Sequence, residues 1–343
     1  GYVDQYLLFP RWLRAQASRQ PPDTLFVFTD QALGPWVPLL RHRPHVVHVH
    51  DLLALRSALG EVPQNPTRFT GRLYQRYIRW GFAQARHFVC ISRRTRDDLL
   101  RVGHVQPRTC DVVHNGLNAP FARLPLATAH RQLLSAGLPE APEGMVLHVS
   151  GNQWYKNVAG VIRLYGAYAR SRARPLPLWL VGVRPGPAER AALAELPPQA
   201  SVQFARGLTH DALQACYSVA RAFLFPSHAE GFGWPIVEAQ TCGCPVITTD
   251  DGPMNEIGGP VTRYLPRLQA GDDIGAWAAH GAQVLAEVLD APEEAAQRRS
   301  AAAMAWASRF RAEVAIKGYL RVYQQVLAAH GLDEAALGAL RGS

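Results

Sequence analysis

The sequence predicts an α/β protein with two doubly wound parallel sheets, one in each of two domains. Three observations carry this. Short apolar runs alternate with helix-length segments along the chain, the pattern of strands joined by crossover helices. With 343 residues there is room for two domains of ordinary size. Hydrophobic residues make up 48% and charged residues 18%, enough apolar material for substantial cores. No apolar run approaches the ~18 residues a membrane helix needs, and no signal peptide opens the sequence.

Taken in order, the chain opens on a helical pattern, YVDQYLLFPRWLRAQ. Strands are predicted at LFVF (25–28), HVVHVH (45–50), HFVCIS (87–92) and DVVHNG (111–116), with helices at 72–85 and 94–101 among them. The segment from Pro120 to Gly144 has little strand character and is expected to contain the interdomain linker. It separates a first domain over 1–125 from a second over 140–308. Strands of the second are predicted at MVLHVSG (145–151), LWLVGV (178–183), SVQFARGL (201–208), AFLFPS (222–227) and PVITTD (245–250). An Ala-rich tail carries helices near 273–289 and 309–329.

The net charge of +9 is unevenly spread. Residues 1–125 hold 17 arginines, no lysine and 8 acids, which leaves +9, whereas the remainder balances 19 bases against 19 acids. Such a field suits an acidic acceptor or an anionic membrane surface; solvated arginine is the plain alternative. No nucleic-acid-binding module is recognisable, so nucleic acid is not an expected partner. The five cysteines form no C-x-x-C pair and read as reduced thiols of a cytosolic protein.

The stretch Pro226–Pro245, PSHAEGFGWPIVEAQTCGCP, is richest in chemistry. Glu230 and Glu238 are separated by seven residues, with Gly231 and Gly233 between them. Ala222–Phe225 reads as a buried strand, and Pro235 suits the first turn of a helix, where its missing N–H is unpaired anyway. Glu230 is thus expected in a loop above a strand, and Glu238 early on the next helix. Crevices at the carboxyl ends of parallel strands bind ligands, and helix N-terminal amides favour phosphate. Two other readings exist. Strand, G-x-G, helix, strand and Asp250 outline a dinucleotide fingerprint, but Ile236 stands at the third glycine position and four residues precede Gly231. The bland reading is a helix-entry loop with two surface carboxylates.

Pro226–Ala239 resembles the E-x7-E signature of retaining glycosyltransferases of family 4, whose GT-B fold has two Rossmann-like domains facing across a cleft. The resemblance implies that Glu238 grips the ribose of a sugar nucleotide and Glu230 faces the transferred sugar. The amides around Gly231, Phe232 and Gly233 would lie beside donor oxygens. It also implies that the first domain binds the acceptor, that the second binds the nucleotide sugar, and that the C-terminal helix, 309–343, crosses back to the first domain. Family members begin with a strand and glycine-rich loop, which this sequence lacks. The expectation is therefore a segment preceding Gly1, since absence of that central strand would leave two neighbours unpaired.

Lys156 is one of only two lysines beside 34 arginines, and a compact ammonium holds phosphate as a point charge. In the resemblance SGNQWYKN (150–157) matches the segment whose lysine contacts the diphosphate. Asn152 stands near the usual arginine, and Arg184, after LWLVGV, is a substitute; a solvated helix-end cation is the alternative for Lys156. His50 matches a histidine that touches the donor sugar or phosphate, with Asp51 to orient it. A satisfied core histidine is the alternative and fits His48 better. The density of His42, His45, His48 and His50 invites a metal reading, but density is not convergence. Leu208, in FARGL, matches the turn whose backbone reads the nucleobase. No D-x-D motif occurs, so a metal-free site is expected, with no cofactor beyond the nucleotide-diphosphate sugar as donor substrate.

The function expected is retaining transfer of a hexose to a saccharide or lipid-linked acceptor, in cell-surface polysaccharide or glycolipid synthesis. Catalysis would fall to Glu230, Lys156 and His50. Location would be cytoplasmic, peripheral at the inner membrane face. A sugar-nucleotide epimerase and a non-catalytic nucleotide-binding scaffold share the same fold and remain as alternatives.

Overall fold

A computed structural model describes residues 3–330 of the chain. The chain divides into two compact units, one running to Gly116 and resuming at Ala312, the other Leu117–Arg311. The boundary thus falls after Gly116. The segment expected to contain the linker also carries a helix, Leu126–Ser135, which belongs to the second unit. Its Ala129 and Leu133 are buried, and it packs on the helix His210–Val219.

The first unit has four strands: β1 (Phe26–Phe28), β2 (His45–Val49), β3 (His87–Cys90) and β4 (Thr109–Val112). All pairings are parallel, in the order β1-β2-β3-β4. Both edges of β2 and of β3 are paired; the segment expected before Gly1 lies outside the described residues. Apolar residues run without alternation along β2 and β3 because both faces are covered. Val47, Val49, Phe88 and Cys90 face a core that includes Ile78, Phe82 and Leu99. On the other face Val46 and Val89 meet Val322 and Val326 of the helix Ala312–Ala328. Gly318 permits that approach, since a Cβ there would lie 2.7 Å from Val113. The C-terminal helix therefore packs on the first sheet; the predicted extension beyond His330 lies outside the described residues.

The helix Phe69–Phe82 starts three residues before the prediction and ends three earlier. It buries Ile78, Gly81 and Phe82. A Cβ on Gly81 would lie 2.1 Å from the Gly34 carbonyl oxygen, so backbone touches backbone, and the helix can turn only this side inward.

The second unit has six strands: β5 (Val146–Val149), β6 (Leu178–Val181), β7 (Val202–Ala205), β8 (Ala222–Phe225), β9 (Val246–Thr249) and β10 (Arg263–Leu265). Their order is β10-β9-β8-β5-β6-β7, all parallel. β10 was missed because it is three residues long and opens on an exposed arginine. One face carries the helices Val158–Arg170 and Ile274–Leu289, whose Leu164, Tyr165, Trp277 and Leu285 complete the core. The chain runs outward from β5 through β6 to β7, then returns to place β8 on the other side of β5. Crossovers on either side of that point leave in opposite directions, which opens a crevice above the carboxyl ends of β5 and β8.

Candidate active site

The loop after β5 and the loop after β8 both rise into this crevice. The first contains a short 3-10 turn, Trp154–Lys156, followed by Asn157 in the left-handed region (φ 52°). Asn157 is suited to that conformation, and its side-chain amide donates to the Pro226 carbonyl at 3.0 Å. His228 N–H donates to the Tyr155 carbonyl at 2.7 Å. Two hydrogen bonds thus lace the loops together before any charge is considered.

They bring Lys156 to Glu230. The ammonium donates to Oε1 at 2.8 Å, with the side chains 12% and 8% exposed. Lys156 also lies over the rings of Tyr155 and Phe225, at 5.1 and 5.0 Å from their centroids. Glu230 uses one of the three ammonium protons, leaving two to donate elsewhere. A mostly buried cation with donors to spare at a switch point is suited to an anion that carries hydroxyls for the carboxylate beside it.

Beneath the pair, His148 on β5 bridges to β8. Its Nδ1 donates to the Leu224 carbonyl at 2.7 Å, because that oxygen can only accept, and Nε2 accepts from the Ser150 hydroxyl at 2.7 Å. Burial lowers the imidazole pKa to about 4, so the ring is neutral and adds no charge under Lys156.

Gly231, Phe232 and Gly233 lead from Glu230 into the helix Trp234–Thr241. Gly233 sits at φ 101°, which L side chains rarely adopt, and its carbonyl accepts from Ile236 N–H. Phe232 is buried against Phe310, ring centroids 5.8 Å apart. Pro235 falls in the first turn as expected. Glu238, one turn on, accepts from the Tyr217 hydroxyl at 2.9 Å. Burial raises the Glu238 pKa, opposed by that hydrogen bond. Tyr217 carries no signal in the sequence, since it lies 21 residues from the carboxylate it positions. His148 and Ser150 were likewise passed over, inside a run that reads only as a strand.

Asn152 and Arg184 are brought together through the backbone of the latter. The Asn152 amide donates to the Arg184 carbonyl, and its oxygen accepts from Arg184 N–H at 2.8 Å. Both amide groups thus help tie the loop after β5 to the loop after β6, with one Asn152 N–H left over, while the Arg184 side chain is exposed. Leu208 is half-buried in the loop after β7, on the same edge of the sheet.

His50 belongs to the first unit, at the carboxyl end of β2. Its Nε2 donates to the Thr29 carbonyl at 2.8 Å, and its backbone N–H to Gln31 Oε1 at 3.0 Å. Asp51 does not hold the ring: its Oδ1 accepts from Leu53 N–H at 3.0 Å. A backbone carbonyl fixes the His50 tautomer instead, leaving Nδ1 as an acceptor without a partner among the described residues. His48 is packed against Tyr319 and Tyr323, and the Tyr323 hydroxyl lies 2.8 Å from Nε2. Among the described residues no three His, Cys, Asp or Glu side chains converge as a metal site would require, and no helix is long and apolar enough to cross a membrane.

Comparison with known proteins bears on the family and the fold. Residues 135–261 match the family model described as glycosyl transferases group 1, and residues 2–119 match that of glycosyltransferase family 4. The chain is 29% identical over 346 aligned residues to D-inositol 3-phosphate glycosyltransferase of Mycobacterium avium, covering 95% of this chain and 76% of the relative. It is 29% identical over 121 residues to O-antigen chain mannosyltransferase B of Escherichia coli, covering 34% of this chain and 31% of that protein. Sucrose-phosphate synthase from Thermosynechococcus elongatus has the same fold, with a TM-score of 0.69 at 22% identity, covering 96% of this chain and 79% of that one. Anabaena HepE, solved with UDP and glucose, gives 0.66 at 17% identity, covering 96% and 83%. The two family models together span more than half of the chain, which belongs to the GT-B glycosyltransferases of family 4.

Proposed function

We propose that the chain transfers a hexose, with retention of configuration, from a nucleotide-diphosphate sugar to a saccharide or lipid-linked acceptor. The observation that carries this is the Lys156–Glu230 pair at the switch point between β5 and β8. The two spare ammonium donors of Lys156 would neutralise charge as it develops on the departing diphosphate. Glu230 would accept from hydroxyls of the sugar, and Glu238, held by Tyr217, from the ribose. Exposed Arg184, the amides of Gly231, Phe232 and Gly233, and the backbone at Leu208 would complete donor binding. In the transfer the bond from C1 to the phosphate oxygen breaks and the bond from C1 to the acceptor oxygen forms on the same face. The acceptor's proton passes to the leaving diphosphate. His50, with Nδ1 as acceptor, would orient the acceptor hydroxyl or the donor.

This reading requires no metal and places the reaction in the cytoplasm, in the assembly of cell-surface saccharide or glycolipid. Thermal-shift titration with UDP-, GDP- and ADP-sugars tests it, since a ligand that favours the native state raises apparent stability. One nucleotide class is expected to stabilise the protein, the gain shrinking in Glu238→Ala. NMR of the product is expected to show the donor's anomeric configuration, at a rate indifferent to EDTA. An epimerised sugar formed without acceptor would replace transfer by epimerisation, and nucleotide binding with no turnover would leave a scaffold.

A further inference from the structure

The outer face of the helix Phe69–Phe82 carries none of the residues assigned above to sugar transfer and has an unusual composition. Phe69, Leu73, Tyr77 and Trp80 are 73%, 48%, 41% and 56% exposed. At about 100° per residue these four fall within a stripe about 80° wide, opposite the side buried through Ile78 and Phe82. Arg72, Arg76 and Arg79 all lie along one flank of that stripe, Arg68 precedes the helix, and no acid occurs between residues 68 and 82. The Tyr77 ring stacks on Trp80 at 5.9 Å and meets Tyr6 at 6.2 Å. The patch thereby continues onto the N-terminal helical segment, where Trp12 is also exposed.

We propose that this face docks on an anionic phospholipid bilayer. Tyrosine and tryptophan are favoured at the headgroup level, where one end of the ring meets lipid and the other water. A helix with an apolar stripe and basic flank lies in the plane of that interface. Arginines along one side of the stripe match a surface of lipid phosphates. A second copy of the chain is a poor occupant, because it would set an equally cationic surface against this one. The proposal stands apart from the sugar-transfer reading and does not depend on it.

Co-sedimentation of the full chain with vesicles tests it. Binding is expected to mixed phosphatidylcholine–phosphatidylglycerol vesicles, to weaken in high salt, and to be lost on pure phosphatidylcholine. F69S/W80S and R72Q/R76Q, each with unchanged Tm, are expected to lower the partition coefficient about tenfold or more. Brominated lipid is expected to quench less fluorescence in Trp80→Phe than in the parent. Equal partition of parent and R72Q/R76Q would overturn the proposal, even if F69S/W80S failed to fold. So would equal binding to both vesicle types, or a dimer in sedimentation velocity that F69S/W80S dissolves.

Discussion

The two sheets are alike in being wholly parallel and buried on both faces, but their strand orders differ. The first runs β1-β2-β3-β4 without reversal, whereas the second reverses between β5 and β8. Only the second therefore has a switch-point crevice among the described residues, and there a lysine and a glutamate from loops 74 residues apart meet. In the first, His50 at the end of β2 hangs from a backbone carbonyl and Asp51 beside it is turned to a backbone amide. Topology thus gives the second unit a crevice lined by a charged pair, which the order of the first sheet does not provide. On the proposed reading, substitutions in the second unit should affect donor binding and bond cleavage, and those in the first the acceptor.

The largest effect is expected at Lys156. Gln is the informative replacement, since Ala would strand a nearly buried carboxylate. Lys156→Gln should lower kcat about 10²–10³-fold, the cost of losing one electrostatic stabiliser, with little change in Tm; steady-state kinetics check this. Next comes acid stability, which sharpens the comparison because each unit buries a neutral histidine. His48 and His148 have ordinary pKa values of 6.5 when unfolded and about 4 when folded. Between these values the unfolded chain takes up protons the native state refuses, so stability falls as pH drops from 6.5 towards 4. For fully buried His148 the loss reaches about 3 kcal/mol, read from urea midpoints across that range. His50→Ala should then lower kcat/KM for the acceptor about tenfold, the worth of one hydrogen bond, with nucleotide affinity in calorimetry unchanged. A matching loss of nucleotide affinity would break the division of labour. The smallest effect is expected from Tyr217→Phe, which removes one hydrogen bond from Glu238 and should weaken nucleotide binding about fivefold.

Most strands of the fold were legible because buried parallel strands are short apolar runs bounded by turn residues. Failures came where that signal was thin. β10 is three residues with one exposed end, and the helix Leu126–Ser135 has too few apolar positions to stand out beside prolines. Within the site, Glu230, Glu238 and the glycines between them were legible as one contiguous loop and helix start. Lys156 drew notice through the rarity of lysine. That it pairs with Glu230 was not legible, because the contact depends on which strands become neighbours. Asp51 looked like an orienter by adjacency, but its carboxylate turned to a backbone amide two residues on. The stripe Phe69, Leu73, Tyr77 and Trp80 has the spacing of a core face, and only the close approach of Gly34 and Gly81 reveals that the helix turns its other side inward.

The bridge between Lys156 and Glu230 also bears on discrimination among small anions. A bare ammonium in a crevice would attract any passing polyphosphate, and the cell is full of them. Here the cation already has a built-in counter-ion, so a plain phosphate must compete with a neighbour 2.8 Å away and offers that neighbour only repulsion. A molecule presenting phosphate to one partner and hydroxyl groups to the other satisfies both at once. On the proposed reading, opposite charges set side by side in this way would favour sugar-bearing diphosphates over sugarless ones.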